Sequence, residues 1–137
     1  MLGSATLFAN LKAADLDAAV DFYGGKLGLE LVYDGEIMPG YREILFDAGG
    51  GIVCLEQGAT TSGEQTLVSF AVDDVEGTVA SLRENGVAFE DYDLPSLKTE
   101  NGVATIGSLK AAWFKDPSGN LLAVISSVEA MKAAGSD

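Results

Sequence analysis

The hexapeptide Asp15-Leu16-Asp17-Ala18-Ala19-Val20 returns 59 residues later as Asp74-Val75-Glu76-Gly77-Thr78-Val79, with the same order of acid, apolar, acid, two small residues and valine. Each copy reads as the start of a helix. Asp15 and Asp74 stand where an N-cap carboxylate accepts the free N–H groups of the first turn, and Asp17 and Glu76 suit the positive end of the helix dipole. Apolar residues then recur at helical spacing, as Leu16, Val20, Tyr23 and Leu27 in the first copy and Val75, Val79 and Leu82 in the second. Gly28 and Gly86 fit the left-handed position that ends a helix. From cap to glycine the first copy is longer by one residue.

Outward from these helices the pattern changes to alternation. Before the first, Leu7, Ala9 and Leu11 alternate with Phe8, Asn10 and Lys12 across Ala5–Lys12; before the second, Val68, Phe70 and Val72 alternate with Leu67, Ser69 and Ala71. Behind them lie strand candidates Leu29–Tyr33, Tyr41–Asp47 and Gly51–Glu56, then Val87–Phe89, Ala111–Lys115 and Leu121–Ser126. The order β-α-β-β-β is thus read twice, as modules at about 5–57 and 65–127 of one domain covering 1–130, with 131–137 as a flexible tail. Asp116-Pro117-Ser118-Gly119-Asn120 is a turn, with Pro presetting φ and Gly supplying the positive φ. Gln57–Glu64 is a polar connection, and Asp93–Gly107 reads as a long irregular flap.

Composition narrows the function. A chain of 137 residues, 47% apolar, makes one globular domain. Eight Lys and Arg against 21 Asp and Glu leave a net charge of -13, which repels phosphate backbones and anionic lipids, so neither nucleic acid nor membrane is an expected partner. No run approaches the roughly 18 to 20 apolar residues of a membrane span, and the N-terminus lacks a signal-peptide pattern. With the single Cys54 unable to form an internal disulfide, a cytoplasmic location is expected. There is no histidine, which removes Ser-His-Asp relays and imidazole ligands. Gly49-Gly50-Gly51 has no following Lys-Ser/Thr and opens no helix, so it is not read as a phosphate loop.

In the strings Ala14-Asp15-Leu16-Asp17-Ala18-Ala19-Val20-Asp21-Phe22-Tyr23, Leu27-Gly28-Leu29-Glu30, Val72-Asp73-Asp74-Val75 and Trp113-Phe114-Lys115-Asp116-Pro117-Ser118-Gly119-Asn120-Leu121-Leu122, the chain resembles the vicinal oxygen chelate superfamily of glyoxalases, bleomycin resistance proteins and extradiol dioxygenases. The resemblance runs from about Leu7 to Ser127. It implies an α+β fold of two tandem βαβββ modules, whose mixed and antiparallel sheet forms a cup with helices outside and the ligand within. In the family's metal enzymes the first ligand of each module lies seven residues before the N-cap Asp, here Phe8 and Leu67. The last lies four residues after the turn glycine, here Ala123. None of the three can ligate a metal. The first-module counterpart of Ala123 is Cys54 when Gly50 is matched to Gly119, sharing a face with Ile52 and Glu56; a one-residue slip puts Leu55 there instead. No metal and no cofactor are therefore expected.

Alternation and resemblance together nominate Phe8, Asn10, Lys12, Cys54, Glu56, Leu67, Ser69, Trp113 and Ala123 as ligand contacts. The bland readings are that Lys12 and Glu56 snorkel to solvent, that Cys54 is a small buried hydrophobe, and that Arg42 is a solvated strand-end charge rather than a carboxylate anchor. Trp113 and Phe114 lie on opposite faces of one strand, and the sequence leaves open which of them faces the cup. The expected function is metal-independent binding of a small organic molecule, sequestering a drug or metabolite. The alternative is a lyase, isomerase or dioxygenase-like enzyme using Glu56 as base or an atypical metal site. Two-module chains of the resembling family pair, so a homodimer is expected.

Overall fold

The computed structural model describes residues 1–60 and 63–135, so Thr61 and Ser62 of the polar connection and Ser136 and Asp137 of the tail lie outside the described residues. The chain divides into two compact units, Met1–Leu67 with Asp116–Asn120, and Val68–Lys115 with Leu121–Asp137.

In the first unit β1 (Phe8–Ala13) leads to α1 (Leu16–Val20), followed by β2 (Glu30–Met38), β3 (Tyr41–Ala48) and β4 (Gly51–Gln57). The strand order is β1-β4-β3-β2, with β1 parallel to β4 and the other pairs antiparallel. Asp15 caps α1 by accepting the Ala18 N–H at 3.1 Å. The extra residue of the first copy appears as a π-helical turn, Asp21–Lys26, in which the Leu27 N–H reaches back to the Phe22 carbonyl. This wider turn lets the consecutive side chains of Phe22 and Tyr23 both become buried. They pack with Leu16 and Ala19 on the face of the sheet formed by Leu11, Ala13, Ile44, Phe46, Val53 and Leu55, all buried. Each large side chain removed from water there contributes about 1.5–3 kcal/mol. Gly24 belongs to this contact, since a Cβ on it would stand 3.3 Å from the Phe46 ring.

The turn 116–120 is held in the first unit by its side chains. The buried Asp116 carboxylate accepts from the Tyr23 hydroxyl at 2.7 Å, from the Ser118 and Asn120 N–H groups at 2.9 Å, and from the Asn120 amide at 2.9 Å. Asn120 also donates to the Lys12 carbonyl at 2.8 Å, and Ser118 Oγ accepts the Ala14 N–H at 3.0 Å. These bonds satisfy the backbone of β1 where it gives way to α1.

The second unit contains β5 (Thr66–Val72) from Val68 onward, α2 (Val75–Glu84), β6 (Asp93–Leu94), β7 (Leu97–Glu100), β8 (Val103–Ile106), β9 (Leu109–Lys115), β10 (Leu121–Ser126) and α3 (Val128–Gly135). Its sheet is ordered β5-β10-β9-β8-β7-β6. Two expectations are corrected. Val87–Phe89 makes only an isolated bridge, Phe89 to Phe114, rather than a strand. Asp93–Gly107 is not an irregular flap: it folds into short strands joined by two-residue turns at Asn101-Gly102 (φ +53 and +79) and, opening on Gly107 (φ +64), at Gly107-Ser108. Such turns match the twist of a hairpin, and Asn-Gly is its strongest short signal. The last helix runs through Gly135. Val75 and Val79 of α2, with Val87, Ala112, Phe114, Leu122 and Val124, form the core, where the Phe89 and Phe114 rings meet edge to face at 5.3 Å. Among the described residues no helix is long and apolar enough to cross a membrane.

Tyr23 gives this fold a signature at alkaline pH. Burial, then the charge and hydrogen bond of Asp116, raises its phenol pKa above the ordinary value. The unfolded chain then ionises first, at about pH 10, so stability is unaffected by this group below that pH and falls as pH rises above it. Tyr23→Phe is expected to lose about 1.5–3 kcal/mol at neutral pH, the worth of a hydrogen bond to a charged group. It is also expected to show a shallower alkaline decline, with Tyr92, likewise raised by burial and by Glu90, retaining part of it. Urea titrations from pH 7 to 11 measure both.

Candidate functional site

The first sheet turns one face to α1. Register places the opposite face in rows. Phe8 of β1, Ile52 of β4 and Asp47 of β3 form one; Asn10, Cys54 and Leu45 the next; Lys12, Glu56 and Glu43 the third. Phe8, Asn10, Lys12, Cys54 and Glu56 are therefore brought to one face, and the register that puts Cys54 rather than Leu55 there is the one observed. Glu43, Leu45 and Asp47 join them. They are contributed by β3, whose alternation Glu43, Leu45, Asp47 carried the signal once its pairing with β4 was known. Tyr33 on β2 pairs with Leu45, and its ring lies over Gly35, where a Cβ would stand 2.8 Å from the phenol oxygen.

This face is acidic at one end. Glu43 and Glu56 are direct cross-strand partners, and the nearby Lys12 ammonium lies 3.7 Å from Glu56. With Lys12 half exposed, that pair is screened and contributes little to stability. Cys54 sits at the centre of the sheet, 2% exposed. Burial first, then the charges of Glu43 and Glu56, pushes its thiol up to about 11, against a smaller opposing effect of Lys12. Among the described residues, one oxygen each from Glu43 and Glu56 and the Cys54 sulfur all lie within 4.8 Å of one another.

In the second unit the Lys110 ammonium meets Glu76 of α2 at 2.6 Å, so Lys110, Ala112 and Phe114 mark the helix side of β9. Phe114 is fully buried there. Trp113 is on the opposite side, paired with Ala123 of β10 and meeting the Tyr92 ring edge to face at 5.6 Å. Ser69 is exposed on β5, and Leu67, on the same side of that strand, is half buried.

Arg42 belongs to the helix side of the first sheet. Its guanidinium makes a bidentate pair with Asp34, at 2.8 and 2.9 Å, and reaches Asp17 of α1 at 3.0 Å. Those hydrogen bonds hold the Asp34 carboxyl below its ordinary pKa. An open cleft of about 440 Å³ lies beside it, lined by Ala14, Asp15, Leu16, Asp17, Gly40, Arg42 and Gln57. Its polar groups are engaged internally: Asp15 caps the helix, Arg42 is ion-paired, and Gln57 donates to the Ala14 carbonyl.

Three of the four positions that the resemblance marks for metal ligands carry no donor atom, and the fourth is the buried Cys54. Phe8 presents a half-exposed ring, Ala123 a buried methyl and Leu67 an aliphatic chain, none with a donor atom.

A sequence model described as the Glyoxalase/Bleomycin resistance protein/Dioxygenase superfamily matches residues 7–124. No curated protein sequence matches the chain. Solved structures that resemble it include UcmS2, 21% identical with a TM-score of 0.73 over 90% of this chain and 98% of that one. A glyoxalase family protein from Enterococcus faecalis is 21% identical, with a TM-score of 0.69 over 92% and 100%. TnmS3, an antibiotic binding protein from Streptomyces sp. CB03234, is 23% identical, with a TM-score of 0.64 over 93% and 98%. At these identities the likeness shows the fold.

The thiol supplies a direct check on this geometry. A pKa near 11 in place of the ordinary 9 lowers the thiolate fraction at neutral pH by about 100-fold, and burial blocks access further. In the folded protein Cys54 is expected to react with iodoacetamide at pH 8 at least about 100-fold more slowly than in urea. Labelling at equal rates in both would show that the sulfur is not at the sheet centre.

Proposed function

Because the chain belongs to the glyoxalase/bleomycin resistance protein/dioxygenase superfamily, we propose that it binds a small organic molecule on the faces of its sheets turned away from the helices, without the metal centre of the family's enzymes. The observation that carries this reading is the exchange at the ligand positions. Phe8, Leu67 and Ala123 offer no donor, whereas polar side chains for recognition, Asn10, Lys12, Glu43 and Glu56, remain on that face of the first sheet. The second unit adds an aromatic surface in Trp113 and Tyr92. Shaped apolar walls with a few polar groups are what such binding requires. That a structural relative is described as antibiotic binding agrees with sequestration.

The excess of acidic residues and the Glu43–Glu56 pair select a cationic, partly aromatic ligand. Trp113 is the only tryptophan, so its fluorescence reports on the second face. Cationic aromatic compounds are expected to raise the melting temperature more than matched anions, with an effect that weakens at high salt. Glu56→Gln is expected to weaken their binding roughly tenfold, about 1.5 kcal/mol. If anions stabilise the protein and cations do not, or if Glu56→Gln leaves cation binding unchanged, the reading is wrong.

The binding protein is proposed to act as a homodimer. β2 is an edge strand, and Leu31, Val32, Tyr33, Ile37 and Met38 along it are exposed. Covering them by a second copy removes apolar surface and an unpaired strand edge together. Light scattering at micromolar concentration is expected to give about twice the chain mass of 14.2 kDa, and Ile37→Lys to return it toward the monomer. A parent protein at the monomer mass would exclude the pairing.

A further inference from the structure

The second unit brings three side chains of complementary chemistry to the face of its sheet away from α2. Phe89 bridges Phe114 on the helix side, and the next residue, Glu90, donates its N–H to the Trp113 carbonyl at 2.8 Å. Glu90 therefore lies on the Trp113 side, where its carboxylate is 3.6 Å from the ammonium of Lys115, the next residue of β9 on that face. Tyr92 follows and brings its ring against the Trp113 ring, with centroids 5.6 Å apart and planes at 80°. Glu90, Tyr92 and Trp113 are all half-buried. We propose that they form a site for an N-methylated ammonium group, with the two rings as walls and the Glu90 carboxylate as counter-ion. The proposal rests on the small-molecule reading and deepens it, naming a charged group of the ligand and assigning it to residues outside the Glu43–Glu56 row.

The corner is built into the fold. The Tyr92 N–H donates to Thr99 Oγ1 at 2.8 Å and its carbonyl accepts the Thr99 N–H at 2.8 Å, so β7 fixes the backbone from which the ring projects. Asp91, the acid between Glu90 and Tyr92, is engaged internally: its carboxylate accepts from Thr99 Oγ1 at 3.2 Å and from the Gly102 N–H at 3.1 Å. Glu90 is the acid left facing the rings. Rings set nearly at right angles turn their negative π faces in two directions, and those faces attract a cation most when it is weakly hydrated. A methylated ammonium has that property and, once quaternary, has no N–H that needs an acceptor, whereas a primary ammonium holds its water. Glu90 already has a primary ammonium beside it in Lys115, at a distance and exposure where the pair is screened and weak. The charge of Glu90 is felt at the ring, since burial first and then that carboxylate raises the Tyr92 phenol above its ordinary pKa. The net charge of -13 draws such a cation from solution.

The test uses the full chain and the fluorescence of Trp113, the single tryptophan. Choline, its uncharged isostere 3,3-dimethylbutan-1-ol and the primary amine ethanolamine are titrated at constant ionic strength, with the melting transition of each variant recorded as a check of folding. Choline is expected to change the emission saturably and to bind at least about tenfold more tightly than either comparison compound. Glu90→Gln and Tyr92→Leu are each expected to weaken choline roughly tenfold, whereas Tyr92→Phe, which keeps the ring, stays within about threefold of the parent. Lys115→Met, which removes the competing ammonium, is expected to bind more tightly. Equal affinity for choline and its uncharged isostere, or no saturable response to choline, overturns the site. So does unchanged binding in Glu90→Gln. Should Glu56→Gln weaken choline while Glu90→Gln does not, the charged group belongs to the first sheet, which overturns this site and leaves the small-molecule reading standing. Should Tyr92→Leu fail to fold, Glu90→Gln and the comparison compounds still decide the question.

Discussion

The Asp116 carboxylate, buried with four donors around it, is the fixed point of the first unit. Tyr23 comes to it from the π-turn after α1, 93 residues away in sequence, and Asn120 carries the link on to the Lys12 carbonyl at the end of β1. A buried carboxylate is tolerable only when its lone pairs are met, and here all of the donors come from elements whose own positions matter. Lys12 ends the row that holds Glu56 and Glu43, so the network that closes the turn also sets the height of β1 against β4. Fold and candidate site share this dependence.

The single extra residue of the first helix shows how a small change of length is absorbed. An α-helix of the second copy's length would turn either Phe22 or Tyr23 away from the sheet. The π-turn keeps both buried, Phe22 packing on Tyr23 edge to face at 5.4 Å and Tyr23 packing on Phe46 at 6.0 Å. Without the second of those positions the Asp116 network loses its hydroxyl donor.

How much was legible in the sequence follows from which signals are local. The two caps, the alternation in β1 and β4 and the Asp-Pro-Ser-Gly turn are properties of neighbouring residues, and they led to the repeated module and to the shared face of Phe8, Asn10, Lys12, Cys54 and Glu56. Glu43 was not legible, because it reaches that face only through the pairing of β3 with β4, which alternation within a single strand does not contain. Asp93–Gly107 hid its hairpins behind strands of two to four residues, too short for a periodic pattern, although Asn101-Gly102 was present as a turn signal. Val87–Phe89 had the composition of a strand but makes only the bridge to Phe114, its backbone otherwise not joined to the ladder.

The face of the first sheet opposite α1 breaks a rule that the rest of the unit obeys. Like charges directly opposite on adjacent strands disfavour the sheet by an amount on the order of 0.2–1 kcal/mol, and Glu43 faces Glu56 in this way. Lys12 offsets one of them only, at 3.7 Å and half exposed. On the helix side the charges are arranged oppositely: Arg42 is placed between Asp34 and Asp17 with bidentate geometry. A chain that matches its charges on one face and opposes them on the other carries the mismatch where stability is not the governing constraint. A cationic group of a bound ligand would relieve that mismatch, which is why the proposed ligand is a cation rather than an anion.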